Sequence, residues 1–324
     1  MTLISFERGP VRLALVLVDH QRTLHPGPLQ HAAYVVHVEI ITPRKLDLDL
    51  HATPFIFKSI FFSEFVKYSY FGIYFSDMTA QNIKILILAA GKGTRMKWAG
   101  PKALALLHGR PMIHHIVEEI KKITDEKPVV IVGHKAELVE SELGESCDYV
   151  LQAEQLGTGH AVAAAKEKCK DAGEIIVLSS DQPFIKAESI KRAIEKHGAS
   201  QAKITFLTTE VPDFEGWRKY FLTHGRILRK DSAVVGIREY KDATEEEKSI
   251  KEVNTGCCYI FDARWLWENI SKINNDNIKQ EYYLTSLFEI AAKNGEKIES
   301  IKIDNVEALG ANSKEELEIL EKLG

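Results

Sequence analysis

A doubly wound α/β fold with a mostly parallel sheet is predicted for residues 83–324, and three features predict it. Apolar runs recur with helical stretches between them, the runs are continuous rather than alternating, and the first one ends in a glycine-rich loop. Continuous apolar runs suit strands covered on both faces, whereas a strand with one wet face alternates. Ile83 to Ala90 is the first run, followed by the loop, a helical pattern from Met112 to Ile123 and a second run from Pro128 to Val132. That is a strand-loop-helix-strand unit. Further strands are expected at Tyr149 to Leu151, Glu174 to Ser179, Ile204 to Thr208 and Gly256 to Phe261. Helical patterns lie at Gly159 to Cys169, Ala187 to Lys196 and Arg264 to Ile270. Gly225 to Tyr240, with a polar turn at Arg229 to Ser232, reads as an added β-hairpin. Ligands in such sheets bind beyond the carboxyl ends of the strands.

The composition is that of an ordinary globular protein, with enough apolar material for a sizeable core. A formal net charge of -4 argues against a nucleic-acid coat, so any bound phosphate must be held by a local cluster of backbone N–H groups, Lys and Arg. Cys147, Cys169, Cys257 and Cys258 form no C-x-x-C pair and have no His at ligand spacing, so neither a zinc site nor a disulfide framework is expected. A reducing cytoplasm fits them. Leu13 to Val18 runs straight into Asp19 and His20, a poor match to a signal peptide.

Residues 1–77 are rich in His and aromatics, poor in Gly, and lack the strand-helix alternation that begins at Ile83. Phe55 to Phe75 is long enough to raise a membrane helix, but Lys58, Glu64 and Lys67 lie inside it. Each charge would cost about 2.5–3.5 kcal/mol near a bilayer centre, so no span is expected. Met78, the second methionine, stands just before the first buried run. The expectation is an upstream extension, 1–77, outside a folded domain of 78–324; an accessory segment is the rival.

The strongest local signal is LILAAGKGTRM, Leu86 to Met96, with Pro101-Lys102 after it. Small residues after a buried strand let the backbone approach a ligand and aim successive N–H groups at phosphate oxygens, with Arg95 and Lys102 adding mobile positive charge. A plain tight turn is the competing explanation. Spacing excludes a P-loop, and Met96 stands where a dinucleotide fingerprint has its third glycine. Gln152, just after the run Tyr149 to Leu151, carries an amide donor and an acceptor, or is a surface glutamine. Asp181 follows the run Ile175 to Leu178, where a carboxylate suits a hard cation, or it caps the helix expected near Ile185.

AAGKGTRM with the following PK resembles the signature of the sugar nucleotidyltransferase superfamily. VLQAEQLGTGHAV, Val150 to Val162, is similar to the uridyltransferase domain of the bacterial bifunctional N-acetylglucosamine-1-phosphate uridyltransferases. EVNTG at Glu252 to Gly256, EYYLT at Glu281 to Thr285 and GANS at Gly310 to Ser313 resemble later motifs of that domain, in the same order. The resemblance covers residues 83–324. It implies a Rossmann-like sheet of the nucleotide-diphospho-sugar transferase type and magnesium-dependent transfer of UMP from UTP to N-acetylglucosamine 1-phosphate, with release of pyrophosphate.

By position, the resemblance implies that Leu88, Ala89, Ala90 and Gly91 meet the base and ribose, while Gly91, Gly93, Thr94 and Arg95 wrap the triphosphate. Gln152, Gly157 and Thr158 would read the uracil, and Gly225, Glu239 and Asn254 the amino sugar. Asp181 and Asn312 would hold magnesium, and Arg95, Lys102 and Asp181 would form the catalytic set. Tyr282 and Tyr283 either line the sugar pocket or simply pack.

Four features depart from the pattern. Ser179-Ser180 replaces an aromatic residue and a glycine, Trp217 to Thr223 looks like an insertion before Gly225, and Ser286 stands where Asp is common. No hexapeptide repeats precede Gly324, so acetyl transfer is not expected. The alternatives are a nucleotidyltransferase for another sugar or alcohol phosphate, and a non-catalytic subunit that binds nucleotide sugars.

Overall fold

The computed structural model describes residues 2–8, 11–18, 35–41, 82–96 and 98–323. The chain divides into two units, Met1–Tyr70 and Phe71–Gly324. In the first, β1 (Thr2–Arg8), β2 (Val11–Val18) and β3 (Val35–Ile41) form an antiparallel sheet with Thr2 opposite Leu17 and Arg12 opposite Ile41. Phe55 to Phe75 and Met78 lie outside the described residues. No described helix is long and apolar enough to cross a membrane.

The second unit opens with β4 (Ile83–Leu88), then the short pair β5 (Leu106–Leu107) and β6 (Arg110–Pro111), α1 (Met112–Lys121) and β7 (Val129–Val132). Next come α2 (Ala136–Leu143), β8 (Asp148–Leu151), α3 (Thr158–Ala164), β9 (Glu174–Ser179), α4 (Ala187–Ser200) and β10 (Ile204–Glu210). The hairpin β11 (Arg226–Lys230) and β12 (Ala233–Arg238) precedes α5 (Glu245–Lys248), the long strand β13 (Glu252–Asp262) and α6 (Ala263–Asn269). The last elements are α7 (Ser286–Lys293), β14 (Ile298–Lys302) and α8 (Lys314–Leu323).

Strands β9, β4, β7 and β8 lie side by side in parallel and form the predicted doubly wound core. Burial on both faces explains their continuous apolar runs: along β4, Ile85 and Ile87 join one core cluster while Leu86 joins the other. Beyond β9 the sheet changes direction. Strand β13 runs antiparallel to β9, with Cys258 opposite Leu178 and Asp262 opposite Glu174, and it also pairs antiparallel with β10 and β11. A run buried on both faces looks the same in either direction, so the pattern alone did not reveal this reversal.

The predicted hairpin is present, tightened to the two-residue turn Asp231–Ser232 with φ of 49° and 69°. Left-handed conformations at both central positions match the right-handed twist of the strands they join. The helical stretch expected from Gly159 to Cys169 is α-helical only to Ala164. Strand β14, parallel to β10, was not expected, because Glu299 and Lys302 break its apolar pattern. All four cysteines are unpaired and buried.

Where β9 begins, Glu174 is 8 % exposed, Asp262 faces it, and Glu174 Oε2 finds no hydrogen-bond partner among the described residues. Burial, reinforced by the Asp262 charge, pushes the Glu174 carboxyl from 4.5 up to about 7. A carboxyl raised on folding keeps a proton that the unfolded chain has released, so stability falls as the pH rises from 4.5 to about 7. At about 1.4 kcal/mol per pH unit the loss reaches about 3 kcal/mol. Nearby, burial pushes His197 down to about 4, which costs stability in the opposite direction, as the pH falls from 6.5 to about 4. Glu174→Gln isolates the first effect: its urea midpoint is expected above that of the parent at pH 8 and not above it at pH 5. An equal gain at both pH values would show that packing, not ionisation, is responsible.

Candidate active site

The carboxyl ends of β4 and β9 open into two adjoining cavities. One, of about 530 Å3, is walled by Leu88 to Gly93, Gln152, Gly157 and Thr158. The other, of about 350 Å3, is walled by Gly225, Glu239, Asn254 and Tyr283. Arg95, Asp181 and Asn312 border both, and Lys102 borders the first.

The glycine-rich loop leaves β4 after the Ala89 N–H donates to Ile131 O at 2.9 Å. Among the described residues no acceptor takes the N–H groups of Gly91, Lys92 or Gly93. Gly91 and Lys92 are exposed and Gly93 half-buried, so these N–H groups face the cavity open to water or to a ligand oxygen, and successive N–H groups of this kind suit a phosphate. Thr94 starts a short 3-10 turn to Met96, closed by Met96 N–H to Gly93 O at 3.0 Å. Gly93 has φ 61°, and a Cβ there would lie 2.8 Å from Lys102 Cβ. The loop and Lys102 therefore pass at a distance that only glycine allows.

Lys102 sits on a second 3-10 turn, Lys102–Leu104, anchored by the buried Ala103. Its ammonium donates to Asp181 Oδ2 and, at 2.6 Å, to Asn312 Oδ1, which also accepts from Arg95 Nη2 at 3.2 Å. Asn312 reaches this point because residues 310–312 run against Asp181, with Ala311 N–H donating to Asp181 O at 2.9 Å. A Cβ on Gly310 would fall 2.7 Å from that same oxygen. The capping alternative for Asp181 fails: α4 starts at Ala187, and the N–H groups of Lys186 and Ala187 donate to Glu307 and Glu119. Among the described residues no three His, Cys, Asp or Glu side chains cluster as a metal site.

Gln152 is 3 % exposed. Its Nε2 donates to Gly157 O at 3.1 Å and meets His160 Nδ1 at 3.0 Å. The Gly157 carbonyl can only accept, which fixes the amide orientation and leaves Oε1 as the free acceptor. Gly157 has φ 119°, and a Cβ would come within 2.6 Å of Tyr282 O. This loop is laced to the EYYLT segment by Tyr282 N–H to Leu156 O and Gly159 N–H to Tyr282 O, each 2.8 Å, and by Leu284 N–H to Thr158 Oγ1 at 3.0 Å. The two tyrosines thus divide: Tyr282 packs beside the loop with its ring 6.5 Å from that of His160, and Tyr283 lines the second cavity.

In the second cavity Glu239 accepts from Thr285 Oγ1 at 3.0 Å, and burial pushes its carboxyl above the ordinary value. Asn254 is held by its N–H to Gly225 O at 2.8 Å and its Nδ2 to the Tyr259 hydroxyl at 2.7 Å. A Cβ on Gly225 would meet Ile237 Cγ2 at 2.8 Å. Ser179 Oγ donates to Gly256 O at 2.8 Å and Ser180 N–H to Leu88 O at 3.2 Å, so the departing Ser-Ser pair ties β9 to its two neighbours.

Every residue expected to bind ligand or metal from side chain or loop thus lies around these two cavities except Thr94, which stands in the loop between Gly93 and Arg95. Glu281, bordering both cavities, and Tyr220, Thr223 and His224, lining the second, were not singled out from sequence. Glu281 lay inside a recognisable motif, whereas Tyr220 and Thr223 fall in the stretch expected as an insertion and His224 directly follows it.

Residues 85–249 match the family described as "MobA-like NTP transferase domain". Over 232 residues the chain is 43% identical to the Bifunctional protein GlmU of Bacillus licheniformis and 44% identical to that of Streptococcus uberis. Each match covers 71% of this chain and 49% of the relative, so the chain spans about half the length of these curated relatives. A putative glucose-1-phosphate thymidylyltransferase from Bacillus anthracis superposes with a TM-score of 0.57 at 17% identity, over 74% of this chain and 94% of that one, which shows a shared fold. The family match takes in the glycine-rich loop, Gln152, Asp181 and the hairpin, and the chain belongs to the MobA-like NTP transferase domain family.

Proposed function

We propose that this protein transfers UMP from UTP to N-acetylglucosamine 1-phosphate and releases pyrophosphate. The observation that carries this is the pair of cavities sharing Arg95, Asp181 and Asn312 as their common wall, an arrangement that suits two phosphates meeting at one place. The curated relatives named GlmU and the order of motifs support the choice of substrates.

The loop N–H groups of Gly91 to Gly93 hold the triphosphate, and Arg95 and Lys102 offset its charge. The sugar phosphate, seated from the second cavity, presents an oxygen to the α-phosphorus, and pyrophosphate leaves on the opposite side. That oxygen is already anionic at neutral pH, so no general base is required. The work left to the protein is alignment and charge stabilisation. Asp181 Oδ2 and Asn312 Oδ1 converge on one cation here, the Lys102 ammonium, and such an oxygen pair, completed by phosphate oxygens and water, suits magnesium. Bound there, magnesium would supply charge neutralisation.

Gln152 Oε1 accepts from the N3–H of uracil, whereas the N3 of cytosine presents a lone pair to it. Pyrophosphate release by the full chain with N-acetylglucosamine 1-phosphate is expected to favour UTP over CTP by about 100-fold or more, the cost of opposing two acceptors in a dry site. Equal rates with the two nucleotides would move the base contact elsewhere, and no release with any sugar 1-phosphate would reject the reaction.

A further inference from the structure

The stretch Trp217 to Thr223, expected as an insertion before Gly225, lies in a 3-10 turn, Gly216–Thr223, with Tyr220 and Phe221 buried. Its end forms wall: Tyr220, Thr223 and His224 line the second cavity beside Gly225. The Tyr220 ring lies 4.9 Å from Phe221 and 4.6 Å from His224, and its hydroxyl stands 3.1 Å from where a Cβ on Gly310 would be. The same turn therefore touches the backbone that delivers Asn312.

One residue fixes this turn. Arg226 is 0 % exposed, and among the described residues no carboxylate pairs with it. Its Nη1 donates to His224 O at 2.5 Å and Phe221 O at 3.4 Å, its Nη2 to Leu222 O at 2.9 Å and its Nε to Lys248 O at 3.2 Å. The guanidinium lies between the Phe214 ring at 4.7 Å and the Tyr240 ring at 5.1 Å. Three of its four acceptors belong to residues 221–224. A buried cation is costly unless its donors find acceptors, and here three of the four hydrogen bonds go to one short segment. Such a segment is held in one shape rather than left to adapt.

We propose that the turn Gly216–Thr223, latched by Arg226, is the specificity wall of the second cavity, choosing among pyranose 1-phosphates through Thr223 and His224. Arg226 is the positioning residue and touches no substrate. Thr223 offers a hydroxyl and His224 a ring nitrogen to sugar hydroxyls that differ between epimers, and a site built around such contacts rejects a sugar that leaves them unmet. The proposal rests on the assignment of this cavity to the sugar phosphate.

The test is steady-state pyrophosphate release by the full chain with UTP and the 1-phosphates of N-acetylglucosamine, N-acetylgalactosamine, glucose and galactose. Arg226→Lys keeps the charge but cannot reach carbonyls on three sides. It is expected to raise KM for the preferred sugar phosphate about tenfold or more, leave KM for UTP within about twofold, and narrow the ratio of kcat/KM between the two epimers of each pair. Thr223→Ala and His224→Phe, which leave the latch intact, are expected to narrow that ratio with unchanged melting temperature, and they decide the matter if Arg226→Lys does not fold. Unchanged epimer ratios in Thr223→Ala and His224→Phe overturn the proposal while the reaction stands. Equal losses for UTP and sugar in Arg226→Lys show Arg226 to be structural only and overturn its part. Parent protein inert with every sugar phosphate overturns the assignment of the cavity and the proposal with it.

Discussion

Asp181→Ala is expected to lower turnover by roughly a thousandfold or more while the protein stays folded. The carboxylate stands at the carboxyl end of β9, in the wall common to both cavities, and its one described side-chain partner is Lys102. Removing it leaves Lys102 bound to Asn312 Oδ1, so the ammonium keeps a partner. Lys102 and Asp181 are 16% and 18% exposed, so the broken pair costs up to about 3 kcal/mol of stability, read as a lowered but cooperative melt. Catalysis loses far more, because Asp181 is the carboxylate that shares a cation with Asn312 Oδ1 here. Pyrophosphate release and a thermal melt on the same preparation separate the two effects. Normal turnover in the variant would remove Asp181 from the reaction, and a collapsed melt would make it a structural residue.

Lys102→Met has the second largest expected effect, and it acts in two directions. The ammonium joins Asp181 and Asn312, occupying the place between two oxygens that a divalent cation would require. Its replacement is expected to cost about 100- to 1000-fold in kcat/KM, since a positive charge facing the phosphates is gone. It is also expected to let manganese, used as a paramagnetic substitute for magnesium, bind without nucleotide at least about tenfold more tightly, because like charges no longer compete for one position. Titration followed by electron paramagnetic resonance reads that affinity without turnover. Tighter binding of manganese by the parent than by the variant would mean that the lysine does not contend with the metal.

How much of this could be read from sequence depends on how local each feature is. Asp181, Lys102 and the loop from Gly91 to Arg95 were legible because a buried strand followed by small residues and charge is a pattern of neighbours in the chain. Asn312 was legible only through its motif, since Gly310 brings it to Asp181 across the fold. The direction of β13 and the existence of β14 were not legible: pairing direction is a tertiary choice, and IESIK has two acidic or basic residues where a strand pattern wants apolar ones. Arg226 gave no signal either. A lone arginine opening a hairpin strand looks solvated until the carbonyls of residues 221–224 are seen to fold back over it.

The burial of the four cysteines has a practical consequence for following the two cavities in motion. Each of Cys147, Cys169, Cys257 and Cys258 is enclosed, and burial raises every one of their thiols, so thiol reagents find little thiolate to attack in the native protein. A single cysteine placed at the exposed hairpin turn, Asp231→Cys, would take a fluorophore selectively without prior removal of native thiols. With a second at the exposed Lys92, the parent chain becomes a two-dye ruler for the glycine-rich loop.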